Sequence, residues 1–234
     1  MWVMHFGIIS AGEGSRLASE GFSLPKPLVP VCGVPMIERL VRIMTGCGAE
    51  RIAVIVNGEN QESVDLLKRL ADEIPMDLVV KKTPSPMHSL MELAPYLGSD
   101  RFCVTTVDTV FQESRFRSMM DEFSKTPFDG IMGVTSFIDD EKPLYVDADD
   151  DMMIRSFLDE KAGCRYVSAG IYALKASALE VLKGCVESGQ TRMRYFQRQL
   201  LESGMRLKAF DMGQVVDVDH VSDIAKAERI AVLE

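Results

Sequence analysis

Short apolar runs alternate with amphipathic stretches through the first half of the chain, and that alternation leaves few folds open. The runs at 3–10, 51–56, 77–80 and 102–107 read as strands, and the stretches at 36–45, 61–73, 89–96 and 110–123 as helices. A strand, helix, strand succession closes best into a mostly parallel sheet with helices on both faces. The second half changes character. Strands are expected at 131–137, 144–147, 153–158 and 166–174 with few helices between them, which adds an antiparallel extension. Helices return at 176–182, 195–202 and 221–233, with strands at 207–210 and 214–216. No repeat or low-complexity tract divides the chain, so one domain over 1–234 is expected. The last predicted helix runs almost to the final residue, and no appended domain is expected after it.

Lys and Arg number 26 and Asp and Glu 35, a net charge of −9. Binding along a nucleic-acid backbone draws its affinity from clustered cations, so DNA and RNA are not expected partners. A small anion needs only a local basic cluster. The five cysteines are widely spaced without a CxxC pair, which reads as buried thiols in a reducing compartment, neither a disulfide framework nor a zinc site. No signal peptide or bilayer-spanning run is present in the sequence, and a cytoplasmic protein away from membranes is expected. Composition says nothing of oligomeric state.

The chemistry concentrates first in IISAGEGSRL, 8–17, followed by PKPL, 25–28. An apolar strand runs into Ala11, Gly12, Glu13, Gly14 and Ser15, where two glycines let the backbone approach an anion and turn its N–H groups towards it. Arg16 adds a permanently charged donor fork, and Lys26 a point charge between two prolines. Together they suit a triphosphate. A Walker A loop needs GK[ST], which is absent, and the dinucleotide fingerprint needs glycine where Leu17 stands. The plain alternative is a glycine turn with an incidental surface Arg and Lys.

AGEGSRL followed by LPKPLVPVCGVPMIERL resembles the opening of the sugar-phosphate nucleotidyltransferases, with some likeness to the phosphocholine cytidylyltransferases. The resemblance extends, with gaps, over nearly the whole chain. It implies a Rossmann-like three-layer α/β/α fold with a mixed, mostly parallel sheet and a small antiparallel extension. It also implies that Ala11, Gly12, Gly14 and Ser15 bind the nucleotide, while Arg16 and Lys26 are catalytic and stabilise the transferring phosphate.

Asp108 ends the run FCVTTVD, at the carboxyl edge of an open sheet, and is a hard oxygen donor suited to Mg²⁺. It matches the family's metal-binding aspartate; the competing role is capping the helix expected at 110–123. In VVDVDHVSDI, Asp217 and Asp219 lie two apart and face one side of an extended segment, so either or both could meet the same cation. The resemblance favours Asp217, and capping of the last helix by Asp219 or Ser222 is the alternative. Glu160 and Lys161 match an EKP string that contacts the acceptor in the family, although Ala162 replaces the proline. The family's base-lining stretch corresponds to PSPMHSL, where Ser85, His88 and Ser89 offer donors and acceptors to a base. Thr191, Arg192, Arg194 and Arg198 form a basic stretch that reads either as a solvated helix face or as a contact for the acceptor phosphate. DADDDMMIRSFL lacks the glycine and closing glutamate of a calcium loop and reads as a solvated hairpin turn.

The implied reaction is transfer of an NMP from an NTP to a sugar 1-phosphate, with Mg²⁺ as cofactor and an NTP and a small phosphorylated acceptor as partners. Cytidylyl transfer to phosphocholine or another alcohol phosphate is the second reading, and a non-catalytic nucleotide-binding regulatory module the third.

Overall fold

The computed structural model describes residues 4–12, 14–98, 100–138 and 142–232. The first half runs β1 (Met4–Ser10), α1 (Ser15–Ser19), a 3₁₀ turn (Lys26–Leu28), the hairpin β2 (Pro30–Val31) and β3 (Val34–Pro35), α2 (Met36–Gly46), β4 (Arg51–Val56), α3 (Gln61–Ala71), β5 (Met76–Val80), α4 (Pro86–Leu93) and β6 (Arg101–Thr106). Then follow β7 (Thr109–Val110), α5 (Glu113–Lys125), β8 (Gly130–Thr135), β9 (Tyr145–Ala148), β10 (Ile154–Leu158), β11 (Tyr166–Lys175), α6 (Ala178–Glu187), α7 (Met193–Glu202), β12 (Leu207–Asp211), β13 (Val216–Asp217) and α8 (Val221–Val232).

The main sheet is mixed. β5, β4, β1 and β6 run parallel, β11 returns antiparallel beside β6, and β8 and β12 continue beyond it as a parallel pair. The β9–β10 hairpin joins the start of β11 and forms the small antiparallel extension. The fold is the expected three-layer α/β/α arrangement.

Alternation along β1 decides which residues enter which layer. Phe6 and Ile8 pack with the apolar faces of α2, α3 and α5, while Ile9 packs with those of α4, α6 and α7. On α2 the buried residues Met36, Ile37, Leu40, Val41, Ile43 and Met44 recur at three- and four-residue spacing, so one face meets the sheet. Each large apolar side chain fully buried this way contributes about 1.5–3 kcal/mol.

Four expectations need correction. The helix expected at 110–123 starts at Glu113, because residues 109–110 pair with β13. The helix expected at 89–96 starts at Pro86, where the Ser85 hydroxyl accepts from His88 N and proline suits the first turn. The late strand expected at 214–216 is Val216–Asp217, so Asp217 lies within it. Cys32 is exposed at the tip of the β2–β3 hairpin, and Cys103, Cys164 and Cys185 are buried. At the β9–β10 turn, Asp149 Oδ1 accepts from Asp151 N and Met153 N, the solvated turn expected of the DADDD string. Among the described residues no helix is long and apolar enough to cross a membrane.

Candidate active site

The candidate site lies where β1 and β6 end. Beyond β1 the chain turns through Ala11, Gly12 and Gly14 into α1; Glu13 lies outside the described residues. Gly14 has φ +62°, a left-handed conformation that costs a side chain energy, and a Cβ there would stand 3.2 Å from Lys26 Cβ. The glycine thus admits close passage of the Lys26 segment. Pro25 and Pro27 frame that segment, and the 3₁₀ turn is closed by Leu28 N donating to Pro25 O at 2.8 Å.

Beyond β6, Val107 N donates to Ile9 O at 3.0 Å, which holds Asp108 against the end of β1. The next two residues form β7, and its antiparallel pairing with β13 sets Thr109 opposite Asp217. Val218 N donates to Asp108 O at 3.0 Å and completes the junction. Asp108 does not cap a helix. This short ladder brings together two carboxylates that are far apart in sequence.

Lys26 Nζ stands 2.5 Å from Asp108 Oδ2 and 2.6 Å from Asp219 Oδ1. Arg16 pairs with the other Asp219 oxygen. Burial opposes the Lys26 charge, but Asp108 and Asp219 overcome that and raise the ammonium above its ordinary value. Burial likewise disfavours the Asp108 carboxylate, and Lys26 more than compensates, so Asp108 is held below its usual value. Asp217 has no such partner. It faces the open cleft with protein packed around it, and that surrounding together with the Asp108 charge pushes it up to about 7, against the pull of the Thr109 hydrogen bond.

The donor set fits a divalent cation. Thr109 has one hydroxyl proton and gives it to Asp217 Oδ1 at 2.8 Å. Thr106 Oγ1 lies 2.8 Å from Thr109 Oγ1. Asp108 Oδ1 is buried without a partner at hydrogen-bonding distance and angle. A carboxylate oxygen without a hydrogen-bond partner beside a second carboxylate makes a pair of hard oxygen donors of the kind a divalent cation takes. Among the described residues no cluster of three or more His, Cys, Asp or Glu forms a metal cage. Mg²⁺ commonly takes one or two carboxylates and keeps waters or substrate phosphates as its other ligands.

Asp219 faces the two cations, and the start of α8 fixes it there. Asp223 Oδ2 accepts from His220 N at 2.8 Å and Asp219 N at 3.3 Å. This is the backward-reaching half of a capping box, a role neither Asp219 nor Ser222 fills. Glu20, just beyond α1, accepts from Val221 N and pairs with His220. The contact with His220 lowers Glu20 and raises His220.

Three adjoining cavities surround these groups. One of about 510 Å³ is lined by Gly12, Gly14, Ser15, Lys26 and the residues after β4. One of about 180 Å³ lies among Gly14, Ser15, Arg16, Lys26 and Asp219. The third, about 480 Å³, has Arg16, Asp217 and Asp219 on one wall and Thr135, Lys142 and Ser168 on the other. The structure therefore brings Gly12, Gly14, Ser15, Arg16, Lys26, Asp108, Asp217 and Asp219 together, with Ala11 buried just behind the loop.

It does not bring the remaining expected residues there. Ser85 caps α4 and its hydroxyl meets His88 Nδ1 at 2.8 Å, while Ser89 is buried and bonded to Thr83 at 2.6 Å. Both are engaged locally and neither lines these cavities. Glu160 and Lys161 sit on an exposed turn outside the cavity walls. Ala162 in that turn has φ +39°, which proline, held near −65°, cannot adopt, so this turn differs from the EKP pattern. Arg194 and Arg198 form neither a solvated face nor a phosphate site. They bind Asp159 and the carbonyls of Lys142 and Phe157. Sequence reasoning missed Ser168, Lys142 and Thr109. Ser168 had a signal, the SAGIY string at 168–172, whereas nothing local marks Lys142 or Thr109.

The MobA-like NTP transferase domain model matches residues 7–199, and the chain belongs to that family. It is 24% identical over 228 residues to the bifunctional protein GlmU of Methanococcus maripaludis, covering 94% of this chain and 52% of that one. The chain thus spans about half the length of the curated relatives it matches. A solved structure of a glucose-1-phosphate thymidylyltransferase candidate from Bacillus anthracis, in complex with sucrose, superposes with a TM-score of 0.84 at 22% identity, covering 98% and 95% of the two chains. The inositol-1-phosphate CTP transferase from T. maritima gives 0.80 at 20% identity, with 98% of each chain covered.

Proposed function

We propose that the chain transfers a nucleoside monophosphate from an NTP to a sugar 1-phosphate, releasing pyrophosphate, with Mg²⁺ as cofactor. The observation that carries this reading is the placement of Asp108, with one oxygen on Lys26 and the other bare beside Asp217. The acceptor phosphate is already anionic at neutral pH, so no general base is required. The task is to hold two mutually repelling anions in line and to stabilise charge on the transferring and leaving phosphates. Arg16 and Lys26 supply that charge, and an incoming triphosphate competes with Asp219 for both. Gly12 and Gly14 let the loop backbone close on the phosphates. Asp108 and Asp217 would hold the metal, which when bound neutralises phosphate oxygens and polarises the reacting phosphorus.

The cavity beside Ser168 is the proposed acceptor site. Its hydroxyls suit a sugar, and Arg16, Lys142 and Lys226 on its walls supply positive charge for a phosphate. Likeness in fold to the T. maritima CTP transferase supports the second reading, cytidylyl transfer to an alcohol phosphate. A trimethylammonium group such as that of choline is commonly held by several aromatic faces. Phe137 is the one aromatic side chain among the described residues lining this cavity, which favours the sugar.

A screen of NTPs against hexose 1-phosphates, inositol 1-phosphate and phosphocholine, read as released pyrophosphate, tests the reading. Release with a hexose 1-phosphate supports it; release only with phosphocholine selects the second reading. Tight NTP binding without release from any acceptor makes the chain a regulatory module.

A further inference from the structure

The wall of the acceptor cavity that carries Ser168 is backed by one face of α7. Arg194, Gln197 and Arg198, at positions i, i+3 and i+4, share that face. The two arginines tie down Asp159 and the carbonyls of Lys142 and Phe157. Gln197 does something different. It is 3% exposed, and its Oε1 accepts the Ser168 hydroxyl proton at 3.0 Å while its Nε2 donates to the Tyr172 hydroxyl at 3.3 Å. A fully buried amide in an otherwise apolar layer is costly unless both ends are paired, and here both are.

The pairing has a directional consequence. A serine hydroxyl has one proton and two lone pairs. With the proton committed to Gln197, Ser168 faces the cavity as an acceptor only. Tyr172 is 6% exposed, and burial pushes it up to about 12, so it remains a neutral phenol that accepts from Gln197. Ser168 sits two residues before Gly170, whose φ of +70° lies within the irregularity of β11 between Ser168 and Tyr172. Ser168 itself is held by its pairing with Val134 and by its N–H donating to Leu144 O at 2.8 Å, so Gln197 has only the hydroxyl to orient.

We propose that Gln197 is a positioning residue for the acceptor site: by taking the Ser168 proton it fixes a lone pair towards the cavity and selects an acceptor phosphate that carries a hydroxyl or amine at that point. This deepens the proposed function and rests on the same assignment of the acceptor cavity.

The test is a double-mutant cycle on the full chain, with the dissociation constants of a panel of hexose 1-phosphates and inositol 1-phosphate measured by calorimetry. Ser168→Ala and Gln197→Met should each weaken the best-binding sugar phosphate about tenfold, the loss of one well-made hydrogen bond. The double variant should bind no worse than either single variant, because Gln197 acts through Ser168. Gln197→Glu, which keeps an oxygen facing Ser168, should restore most of the affinity, and NTP affinity should stay unchanged throughout. Where Gln197→Met does not fold, Gln197→Asn withdraws the amide by one methylene and replaces it. Additive losses of about a hundredfold in the double variant would overturn the proposal. So would unchanged sugar-phosphate binding by Gln197→Met, or failure of every panel member to bind the wild-type chain. Pyrophosphate release, followed in parallel, separates this inference from the proposed function. Coupled binding with no release removes the transferase reading alone, and release without the coupling removes this inference alone.

Discussion

The Thr109 hydroxyl donates to Asp217 across the β7–β13 ladder at 2.8 Å, and that contact sets the second carboxylate of the site beside Asp108. Two residues of strand on each side suffice to join the middle of the chain to its last helix. The contact also makes Asp217 electrostatically distinctive, because it bonds to a neutral hydroxyl whereas Asp108 and Asp219 pair with Lys26 and Arg16.

Asp108→Asn should leave the fold intact and lower pyrophosphate release by about 10²–10³-fold, the usual scale for losing one charge-stabilising group. Steady-state release together with a thermal melt checks this. Wild-type turnover in a folded Asp108→Asn protein would remove Asp108 from the chemistry.

Asp217 gives a pH-dependent prediction with a definite sign. Its folded value, about 7, lies above the ordinary carboxylate value of 3.8, so the folded chain holds the proton more tightly than the unfolded one. The stability this brings is complete below about pH 3.8 and is lost as pH rises through about 7. Asp217→Asn should therefore raise the melting temperature at pH 8 in chelator-treated protein, and the gain should shrink steadily towards pH 4. Melts across that range decide it, and a gain that grew on acidification would contradict the assignment.

Gly14→Ala places a side chain at φ +62° and 3.2 Å from Lys26 Cβ. The backbone strain is about 1–2 kcal/mol, and the displaced Lys26 should raise the KM for NTP. Denaturant unfolding and NTP titration measure the two effects separately.

Asp223→Ala removes the acceptor for His220 N and Asp219 N at the start of α8. The loss should cost about 1 kcal/mol and free Asp219 from its fixed place against Arg16 and Lys26. Asp223→Asn, which keeps an acceptor oxygen, should recover most of the stability, as read by urea unfolding.

The layered fold was legible because its cause is periodic. Apolar spacing on α2 and the dense apolar runs in β1 and β4 state which faces are buried before any tertiary contact is known. Gly14, Arg16, Lys26 and Asp108 were legible because loop chemistry and strand ends are local signals. The β7–β13 ladder was not, since a two-residue strand has no period, and Val110 reads as the first residue of the following helix. The same holds for Ser85 and Ser89. Their type suggested ligand contacts, but a serine before Pro86 serves as a cap, and only the packing of α4 shows that the hydroxyls are engaged. Arg194 and Arg198 look like a basic face in sequence because Asp159 and the carbonyls they hold lie on distant segments.

The pairing of Arg16 with Asp219 spans 203 residues. Joining groups so remote is slow, because a long stretch of polypeptide loses its freedom before the contact repays it. During synthesis the glycine loop emerges long before Asp219 does. A nascent chain halted before residue 217 would leave Lys26 with Asp108 alone and Arg16 without Asp219, so the closed arrangement of the glycine loop is completed late rather than growing with length.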